Sequence, residues 1–328
     1  MKTDLLKAPR MGMGCWAIGG PFWNGEIPVG WAGANDQDSR AAIEAAWSCG
    51  VRAFDTSAVY GTGHSEELLG EVLWNRPDAI IVSKFGHSFD AATRQMTGPK
   101  TDPAYIQGSI EESRSRLRRD RVDVMLLHLN DLPIDEAVAV FDVLDEEVER
   151  GHIGSYGWST DFPASLDAFA NRENFTAVQH SMNLFFDAPS LSRVAQSHNL
   201  PQLIRSPLAM GILSGKYSDG QSVGNGDVRG NNDDWSGYFH DGRAKEELLA
   251  KVSAVRELIT SGGRTLTQGA LCWLVAKSPN TLPIPGAKTA AQAEENASAL
   301  QFGPLAPDIM QEIEAVLDRP PEGEPRAR

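Results

Sequence analysis

The 328-residue sequence has few cysteines and no long hydrophobic run. Its three cysteines, Cys15, Cys49 and Cys272, are far apart and odd in number, which predicts neither a disulfide framework nor a paired-cysteine metal motif. No stretch reaches the roughly eighteen apolar residues that a membrane-spanning helix needs. Residues 1–7 also lack the apolar segment of a secretion signal. We therefore expect a cytoplasmic protein with reduced cysteines.

Positive charge is also in deficit, because 30 lysines and arginines stand against 44 acidic residues and give a net charge of −14. An acidic protein is repelled by nucleic-acid phosphates and by anionic lipids, so we expect neither as a partner. A local basic pocket is still compatible with this charge. The composition, 41% hydrophobic and 23% charged, is typical of a soluble globular domain.

Several catalytic motifs are absent from the sequence. Gly12 and Gly14 begin a glycine-rich run without the GxGxxG spacing of a Rossmann helix, and the same is true of Gly61 and Gly63. The sequence has no HExxH motif and no metal-spaced cluster of histidines and carboxylates, so no metal is predicted. It also has no GxSxG elbow, which argues against a serine nucleophile.

Strand-like and helix-like segments do alternate along most of the chain, a pattern typical of βα units around a parallel sheet. Eight candidate strands lie at residues 11–17, 51–56, 79–84, 122–128, 153–158, 176–179, 202–205 and 281–284, with helices between them, for example at 36–48 and 135–150. Eight strands favour a closed (β/α)8 TIM barrel over an open doubly wound sheet. The length suits one such domain, predicted at residues 1–318.

Two segments depart from this alternation. Residues 218–242 are rich in Gly, Asn, Asp and Ser and show neither the helical nor the strand repeat of apolar residues, which predicts a long mobile loop near the site. The aromatic residues of this loop, Trp235, Tyr238 and Phe239, could close over a substrate or pack at the surface. Residues 319–328 have almost no apolar side chain and are predicted to form a disordered tail.

Four ionisable side chains stand where buried strands give way to turns. Asp55, Lys84 and His128 each end a strand-like run, and Tyr60 follows Asp55 closely. In a parallel barrel such strand ends converge. A buried lysine is costly unless it is paired, so Asp55 is its expected partner, and an ammonium beside a phenol lowers the tyrosine pKa. Each residue alone fits a structural role, but together they favour a proton-donating site with Tyr60 as the acid.

Two later segments are suited to binding an anion. Residues 206–216 follow a strand and supply small residues, backbone amides and Lys216. Residues 283–289 precede a short helix that reaches Glu295 and Asn296. Each segment alone fits a simple turn equally well. Because phosphate sites often form after the late strands of a barrel, the two together favour a large phosphorylated cofactor.

These segments resemble those of the aldo-keto reductase family, particularly its bacterial and potassium-channel β-subunit-like branches. The string FDTSAVYGTGHSE at residues 54–66 is the most specific, and it is supported by residues 82–84, 123–128, 154–159, 206–216 and 284–296. The similarity runs from about residue 11 to about residue 300 and covers nearly the whole chain. It implies a TIM barrel that binds NADPH, with NADH possible, and acts on a small carbonyl substrate without a metal.

By this resemblance, Tyr60 protonates the carbonyl oxygen, Lys84 lowers the tyrosine pKa, Asp55 holds Lys84, and His128 orients the carbonyl. The implied cofactor-binding residues are Trp16, Ser159, Thr160, Gln179, Arg205, Ser206, Pro207, Leu208, Gly211, Leu213, Ser214, Lys216, Gly286, Lys288, Gln292, Glu295 and Asn296. From their places in or after the early strands, we also expect a substrate pocket wall formed by Trp23, Trp31, Phe85 and His87.

The sequence departs from the family pattern at four positions. Thr160 stands where the family often has asparagine, and Arg205 stands where an aromatic residue usually stacks on the nicotinamide. A guanidinium is planar and can stack, although its charge disfavours an oxidised cofactor. Gly286 and Gln292 replace basic residues, which makes Lys288 the main candidate for binding a 2′-phosphate.

Three functions stay open at this point. The first is an NADPH-dependent reductase of aldehydes or ketones, which the intact set of Asp55, Tyr60, Lys84 and His128 favours. The second is an NAD-dependent sugar or polyol dehydrogenase, which uses the same site in the opposite direction and agrees with the weak basic character around Gly286. The third is a cofactor-binding regulatory subunit similar to channel β subunits. The sequence predicts neither the substrate nor the oligomeric state.

Overall fold

The computed structural model describes residues 5–217, 220–224, 226–230, 237–319 and 322. The strands are β1 (Gly12–Gly14), β2 (Trp23–Asn24), β3 (Ile27–Pro28), β4 (Ala53–Asp55), β5 (Ile80–Phe85), β6 (His87–Asp90), β7 (Gln95–Pro99), β8 (Val122–Leu127), β9 (Ile153–Ser159), β10 (Phe175–Ser181), β11 (Gln202–Arg205), β12 (Phe239–His240), β13 (Arg243–Ala244) and β14 (Thr281–Pro283). The helices are α1 (Asp36–Ser48), α2 (His64–Leu73), α3 (Pro103–Leu117), α4 (Ile134–Glu149), α5 (Pro163–Phe169), α6 (Pro189–Ser197), α7 (Glu246–Ile259), α8 (Leu266–Lys277), α9 (Ala290–Ser298) and α10 (Pro307–Val316). Short 3-10 helices lie at Leu5–Lys7, Ala209–Ser214, Val228–Gly230, Ser261–Gly263 and Ala299–Gln301.

Eight parallel strands form the barrel in the order β1, β4, β5, β8, β9, β10, β11 and β14. The first and last strands meet where the Gly14 amide donates to the Pro285 carbonyl at 3.0 Å, and Gly14 also forms a bridge with Gly286. A side chain at Gly14 would place its Cβ 2.6 Å from the Ile284 carbonyl oxygen, so this junction requires glycine. The prediction of a (β/α)8 barrel is confirmed.

Alternation along the strands separates two apolar layers. One cluster consists of strand residues together with Leu5, and it includes Val82, Val124, Leu126, Ala177 and Leu203. A second, larger cluster contains the alternate residues of the strands, such as Ile81 and Phe85, together with residues of the helices. Val82 therefore faces the barrel interior and Phe85 faces the helices. Since Lys84 has the same parity as Val82, it faces the interior.

Local signals set the helix boundaries. The Asn35 side chain accepts a hydrogen bond from the Asp38 amide and caps α1, and Gly50 follows this helix with a φ of 94°. The predicted range 36–48 is therefore confirmed. Helix α4 begins one residue earlier than predicted and ends one earlier. Thr265 and Gln268 form a capping box at the start of α8.

A small second sheet covers the carboxyl end of the barrel and was not predicted from the sequence. Its four strands are ordered β3, β2, β7 and β6, and Trp23 of β2 pairs with Gln95 of β7. Strand β6 begins two residues after β5 ends, so this sheet lies directly above the barrel strand that carries Lys84. It supplies part of the wall of the cavity described below.

The predicted mobile loop at residues 218–242 is partly structured. Asp241 and Gly242 have positive φ angles and form the turn between β12 and β13, and Tyr238 and Phe239 are buried in an apolar cluster. The expectation that these two aromatic residues close over a substrate or pack at the surface is therefore wrong. Trp235 lies outside the described residues, as does the predicted tail apart from Arg319 and Glu322. In the part of the chain that the structure describes, no helix is long and apolar enough to cross a bilayer.

Candidate active site

Asp55, Tyr60, Lys84 and His128 lie together at the carboxyl end of the barrel strands. The Lys84 ammonium donates to Asp55 Oδ2 at 2.8 Å, to the Thr56 carbonyl at 2.7 Å and to Tyr60 Oη at 3.2 Å. An ammonium has three N–H donors, and three acceptors surround it here. The His128 ring stands edge-on to the Tyr60 ring, with centroids 5.8 Å apart. The structure thus brings together the three residues that the sequence placed at strand ends and Tyr60, which follows Asp55.

The Lys84 and Asp55 pair is almost completely buried, with side-chain exposures of 0% and 5%. Burial favours neutral Lys84, but the Asp55 carboxylate and the Tyr60 oxygen outweigh it and raise the Lys84 pKa above its usual value. Burial raises the pKa of Asp55, while Lys84 and the Gln179 amide oppose this rise. We therefore describe the pair as a buried ion pair with a protonated lysine.

The pKa of Tyr60 differs from the sequence-based expectation. Burial raises this pKa, Lys84 lowers it and Asp55 raises it again, so the net shift is upward. The expected net lowering was wrong, because the sequence could not show how deeply the phenol is buried. A raised pKa keeps Tyr60 protonated at neutral pH, which is the form that a proton donor needs.

His128 is a neutral imidazole at neutral pH. Burial lowers its pKa well below the usual value, and electrostatic interactions with Lys84, His87 and Arg205 lower it further. Its Nδ1 lies 3.2 Å from Ser57 Oγ, which orients the ring. A neutral ring beside Tyr60 can form a hydrogen bond with a ligand oxygen without competing as a stronger acid.

A chain of side chains links Asp55 to the neighbouring strands. Gln179 Nε2 donates to Asp55 Oδ1 at 2.7 Å, and Ser159 Oγ donates to Gln179 Oε1 at 3.2 Å. Ser159 lines the cavity, whereas Gln179 lies behind it. Thr160 is also behind the wall, where its hydroxyl donates to the Asn130 carbonyl at 2.7 Å. The hydroxyl of Thr160 is therefore used within the fold and does not replace the family asparagine at the cavity surface.

A cavity of about 570 Å³ extends from Tyr60 and His128 to the two late anion-binding segments. Fourteen of the seventeen predicted cofactor residues line it, namely Trp16, Ser159, Arg205, Ser206, Pro207, Leu208, Gly211, Ser214, Lys216, Gly286, Lys288, Gln292, Glu295 and Asn296. Leu213 does not line the cavity, because it is buried in the apolar cluster under the 3-10 helix. Within the described residues, no group of three metal-ligating side chains is present.

Two of the four predicted substrate residues lie elsewhere. Trp31 and His87 line the cavity, and His87 contacts the His128 ring edge-on at 5.3 Å. Phe85 faces the helices, because its neighbour Lys84 faces the barrel interior. Trp23 belongs to the upper sheet, where its neighbours in sequence reach the cavity and it does not. These two placements correct the sequence prediction.

The loop after β11 has an unusual backbone. Ser206, Ala209 and Met210 have positive φ angles of 53°, 48° and 53°, and Gly211 follows with 101°. Residues with side chains rarely adopt this conformation, and such departures are concentrated at ligand sites. Successive left-handed residues can turn backbone amides toward one point and create a concave anion site. Exposed Lys216 lies at the end of this loop and lines the same cavity.

Sequence reasoning missed Asp227 and Arg229, which bring the 218–242 segment to the cavity. Arg229 lines the cavity, pairs with Asp227 at 2.7 Å and lies 4.3 Å above the Trp31 ring. The Asp227 carboxylate also accepts from the Ala32 amide at 3.2 Å, and the Lys288 ammonium donates to the Ala32 carbonyl at 3.1 Å. One signal was available, since Arg229 is the single lysine or arginine among residues 218–242.

Comparison with known proteins identifies the family. The family model described as the aldo/keto reductase family matches residues 10–318. The chain therefore belongs to the aldo/keto reductase family of oxidoreductases. The resemblance noted from the sequence motifs is confirmed, and so is the expectation that the chain is an oxidoreductase.

Three individual proteins illustrate the range of relatives. A putative voltage-gated potassium channel β subunit of Schizosaccharomyces pombe is 26% identical over 96% of this chain and 92% of its own length. The glycerol dehydrogenase of Gluconobacter oxydans has a similar structure, with a TM-score of 0.77, 26% identity and coverage of 96% and 93%. An aldo-keto reductase of Klebsiella pneumoniae in complex with NADPH shares the fold, with a TM-score of 0.68, 22% identity and coverage of 98% and 95%.

Proposed function

We propose that this protein reduces an aldehyde or ketone to an alcohol by direct hydride transfer from NADPH, with Tyr60 as the general acid. One observation carries the proposal: the Tyr60 phenol accepts a hydrogen bond from the buried Lys84 ammonium at the end of a cavity that continues to the anion-binding segments. The acid and the cofactor segments thus share one space, as direct hydride transfer requires.

The lining of the cavity fits a dinucleotide phosphate. Three cations line the cavity near the loop of residues 206–216, although the protein as a whole is acidic. They are Lys216, Arg229 and Lys288. Ser159 and Asn296 supply polar side chains farther along the wall. The Klebsiella reductase, whose fold is similar, binds NADPH. When bound, a reduced nicotinamide supplies the hydride in this class of reaction.

The protein side chains would handle the proton. Tyr60 donates a hydrogen bond to the carbonyl oxygen and transfers its proton to that oxygen as negative charge develops. Lys84 stabilises the phenolate that remains, and Asp55 holds Lys84 in position. Neutral His128 forms a second hydrogen bond with the carbonyl oxygen. The carbonyl carbon gains a hydride, the oxygen gains the Tyr60 proton, and solvent restores the phenol.

The direct test is Tyr60→Phe, assayed with NADPH and a panel of aldehydes. We expect kcat to fall by roughly 10²-fold to 10⁴-fold, the usual contribution of a positioned general acid. NADPH affinity should stay close to that of the parent protein, because the benzene ring is retained. Tyr105→Phe, in helix α3, is the matched control and should keep full activity. Retention of most activity toward every aldehyde by Tyr60→Phe would mean that another group donates the proton.

The second candidate is an NAD-dependent sugar or polyol dehydrogenase. It is favoured by the structural similarity to a glycerol dehydrogenase and by the uncharged residues Gly286 and Gln292 in the cavity wall. Measured at equal enzyme concentration, oxidation of polyols with NAD⁺ would exceed reduction of aldehydes with NADPH if this candidate is correct. The reverse ratio supports the reductase.

The regulatory alternative is favoured by the similarity to a channel β subunit. Tight cofactor binding combined with slow turnover of every carbonyl tested would support it. A small-molecule carbonyl as the partner and a cytoplasmic location stay predictions. The sequence predicts no oligomeric state, which light scattering of the same purified protein would measure.

A further inference from the structure

Arg205 is a fixed charge on the cavity wall. It is the last residue of β11, and its side chain is 16% exposed. Its Nη2 donates to Asp161 Oδ2 at 2.5 Å and lies 3.4 Å from Asn130 Oδ1. Its Nε is buried and has no hydrogen-bond acceptor among the described residues. The guanidinium is therefore held at one edge by a carboxylate, while the rest of the group contributes to the cavity lining.

The contacts of Arg205 place it at the same end of the cavity as the acid Tyr60. Asn130 follows His128 by two residues, and Asp161 follows Ser159 by two residues. Arg205 thus joins the ends of β8, β9 and β11, and its charge opposes the rise that burial causes in the pKa of Tyr60. Its charge also contributes to the lowered pKa of His128, after burial, Lys84 and His87.

The other basic residues of the lining form a separate group. Lys288 donates to the Ala32 carbonyl, and Arg229 packs on Trp31 in the same segment. Arg229 and Lys216 both lower the pKa of Lys288, after the larger effect of burial. These three cations suit the phosphates of a cofactor. Arg205 instead contacts Asp161 and Asn130, at the end of the cavity where Tyr60 lies.

At the end of the cavity that contains Tyr60 and Arg205, the charge of a nicotinamide cofactor depends on its redox state. An oxidised nicotinamide ring is positively charged, and a reduced ring is neutral. Hydride transfer to a carbonyl that is hydrogen-bonded to Tyr60 requires the ring to lie next to this oxygen, and therefore within the field of Arg205. Because Asp161 and Asn130 fix the guanidinium, it cannot turn away from the ring at low cost. A fixed cation raises the free energy of the oxidised form only.

We propose that Arg205 discriminates between the two redox states of the cofactor and makes NADP⁺ bind more weakly than NADPH. Asp161 sets the strength of this effect, because its carboxylate partly neutralises the guanidinium. The consequence for turnover is that the oxidised cofactor leaves readily, which favours the direction of carbonyl reduction. This inference rests on the proposed function, since it requires a nicotinamide cofactor in the cavity.

The test is equilibrium titration of the protein with NADPH and with NADP⁺, followed by tryptophan fluorescence, without any substrate. The quantity compared is the ratio of the two dissociation constants, Kd for NADP⁺ over Kd for NADPH. Arg205→Met should lower this ratio about tenfold, the order expected for one partly shielded charge near another. Arg205→Lys keeps the charge and should change the ratio by less than about threefold.

Asp161→Asn should change the ratio of the two dissociation constants in the opposite direction. It removes the counter-charge of Arg205 but keeps an oxygen that can accept from the Ser181 amide, as Asp161 Oδ1 does at 2.8 Å. We expect the ratio to rise, because the guanidinium then acts with its full charge. This variant also keeps the proposal testable if Arg205→Met folds poorly, which circular dichroism would show.

Two outcomes would overturn the proposal. One is an unchanged ratio in Arg205→Met and in Asp161→Asn while both cofactor forms still bind. The other is an unchanged ratio combined with a higher KM for negatively charged aldehydes but not for neutral ones, which would assign Arg205 to the substrate. Failure of the proposed function has a different signature, because the parent protein would then reduce none of the aldehydes tested, whatever the ratio of the two dissociation constants does.

Discussion

Replacing Lys84 with methionine removes the cation that joins the Asp55 carboxylate to the Tyr60 phenol. The two charged atoms are 2.8 Å apart and nearly inaccessible to water. At an effective dielectric constant of about 20, their attraction is about 6 kcal/mol, and the cost of desolvating both groups offsets much of it. Removing one partner leaves the other buried without compensation, so we expect Lys84→Met to lower the free energy of unfolding by about 3–5 kcal/mol.

The matched variants complete a double-mutant cycle. Asp55→Asn leaves Lys84 as an unpaired buried cation and should cost a similar amount. In the double variant no charge remains, and the new asparagine can still accept the hydrogen bond from Gln179 that Asp55 accepts now. We expect the double variant to lose only about 1–3 kcal/mol, the cost of the hydrogen bonds that are no longer formed.

Urea unfolding, monitored by tryptophan fluorescence and circular dichroism, measures the three changes, and NADPH-dependent turnover measures the effect on catalysis. The double variant should regain most of the lost stability but stay at least about 100-fold less active than the parent, because Tyr60 still lacks its cation. If the loss in the double variant equals the sum of the single losses within about 0.5 kcal/mol, the two charges are not coupled and the reasoning fails.

Two further predictions concern pH and cofactor choice. Burial lowers the pKa of His87, His128 and His180, so each of these residues binds a proton at a lower pH in the folded protein than in the unfolded chain. The free energy of unfolding therefore keeps their full contribution above about pH 6.5 and loses it as the pH falls below this value, by up to about 1.4 kcal/mol per pH unit for each histidine. Equal urea midpoints of unfolding at about pH 7.5 and about pH 5.5 would contradict this expectation. For the cofactor, Lys288→Ala should weaken NADPH binding about tenfold and leave NADH binding nearly unchanged in a fluorescence titration. Lys251→Ala, on helix α7, is the control, and equal weakening for both cofactors would remove Lys288 from 2′-phosphate recognition.

The barrel could be predicted because its signals are local. Strands such as β5 and β8 are mostly apolar runs, and α1 has both a cap at Asn35 and a glycine stop at Gly50. The upper sheet could not be predicted in this way, because β2 and β3 have two residues each, and β2 joins the sheet by pairing with β7, about 70 residues away. Such non-local pairing leaves no periodicity in the sequence.

The placement of the site residues shows a similar division. The alternation of side chains along β5 could be predicted from the sequence. If Lys84 faces the barrel interior, Phe85 must face outward, and this rule would have removed Phe85 from the predicted substrate pocket. The raised pKa of Tyr60 was not readable, because it depends on how far the surrounding chain excludes water from the phenol. The role of Arg229 depends on contacts with Trp31, which is about 200 residues away in sequence.

The specificity of the segment at residues 54–66 follows from the contacts of its members. The Thr56 and Ser65 hydroxyls are 2.8 Å apart, and Ser65 Oγ donates to the Cys15 carbonyl at 2.8 Å. This arrangement fixes the start of α2 against the strand that ends in Asp55. A Cβ at Gly61 would lie 1.9 Å from the Gly19 carbonyl oxygen, so the turn that carries Tyr60 allows only glycine there.

The same segment positions Lys84 from the opposite side of β5. Buried Glu66 accepts a hydrogen bond from Ser83 Oγ at 2.5 Å and from Arg116 Nε at 2.7 Å. Because adjacent side chains of a strand point to opposite faces, holding Ser83 on the helix side also holds Lys84 on the barrel side. Two carboxylates of one short segment, Asp55 and Glu66, therefore fix β5 from both faces. The reach of the Lys84 ammonium to Tyr60 depends on both of them.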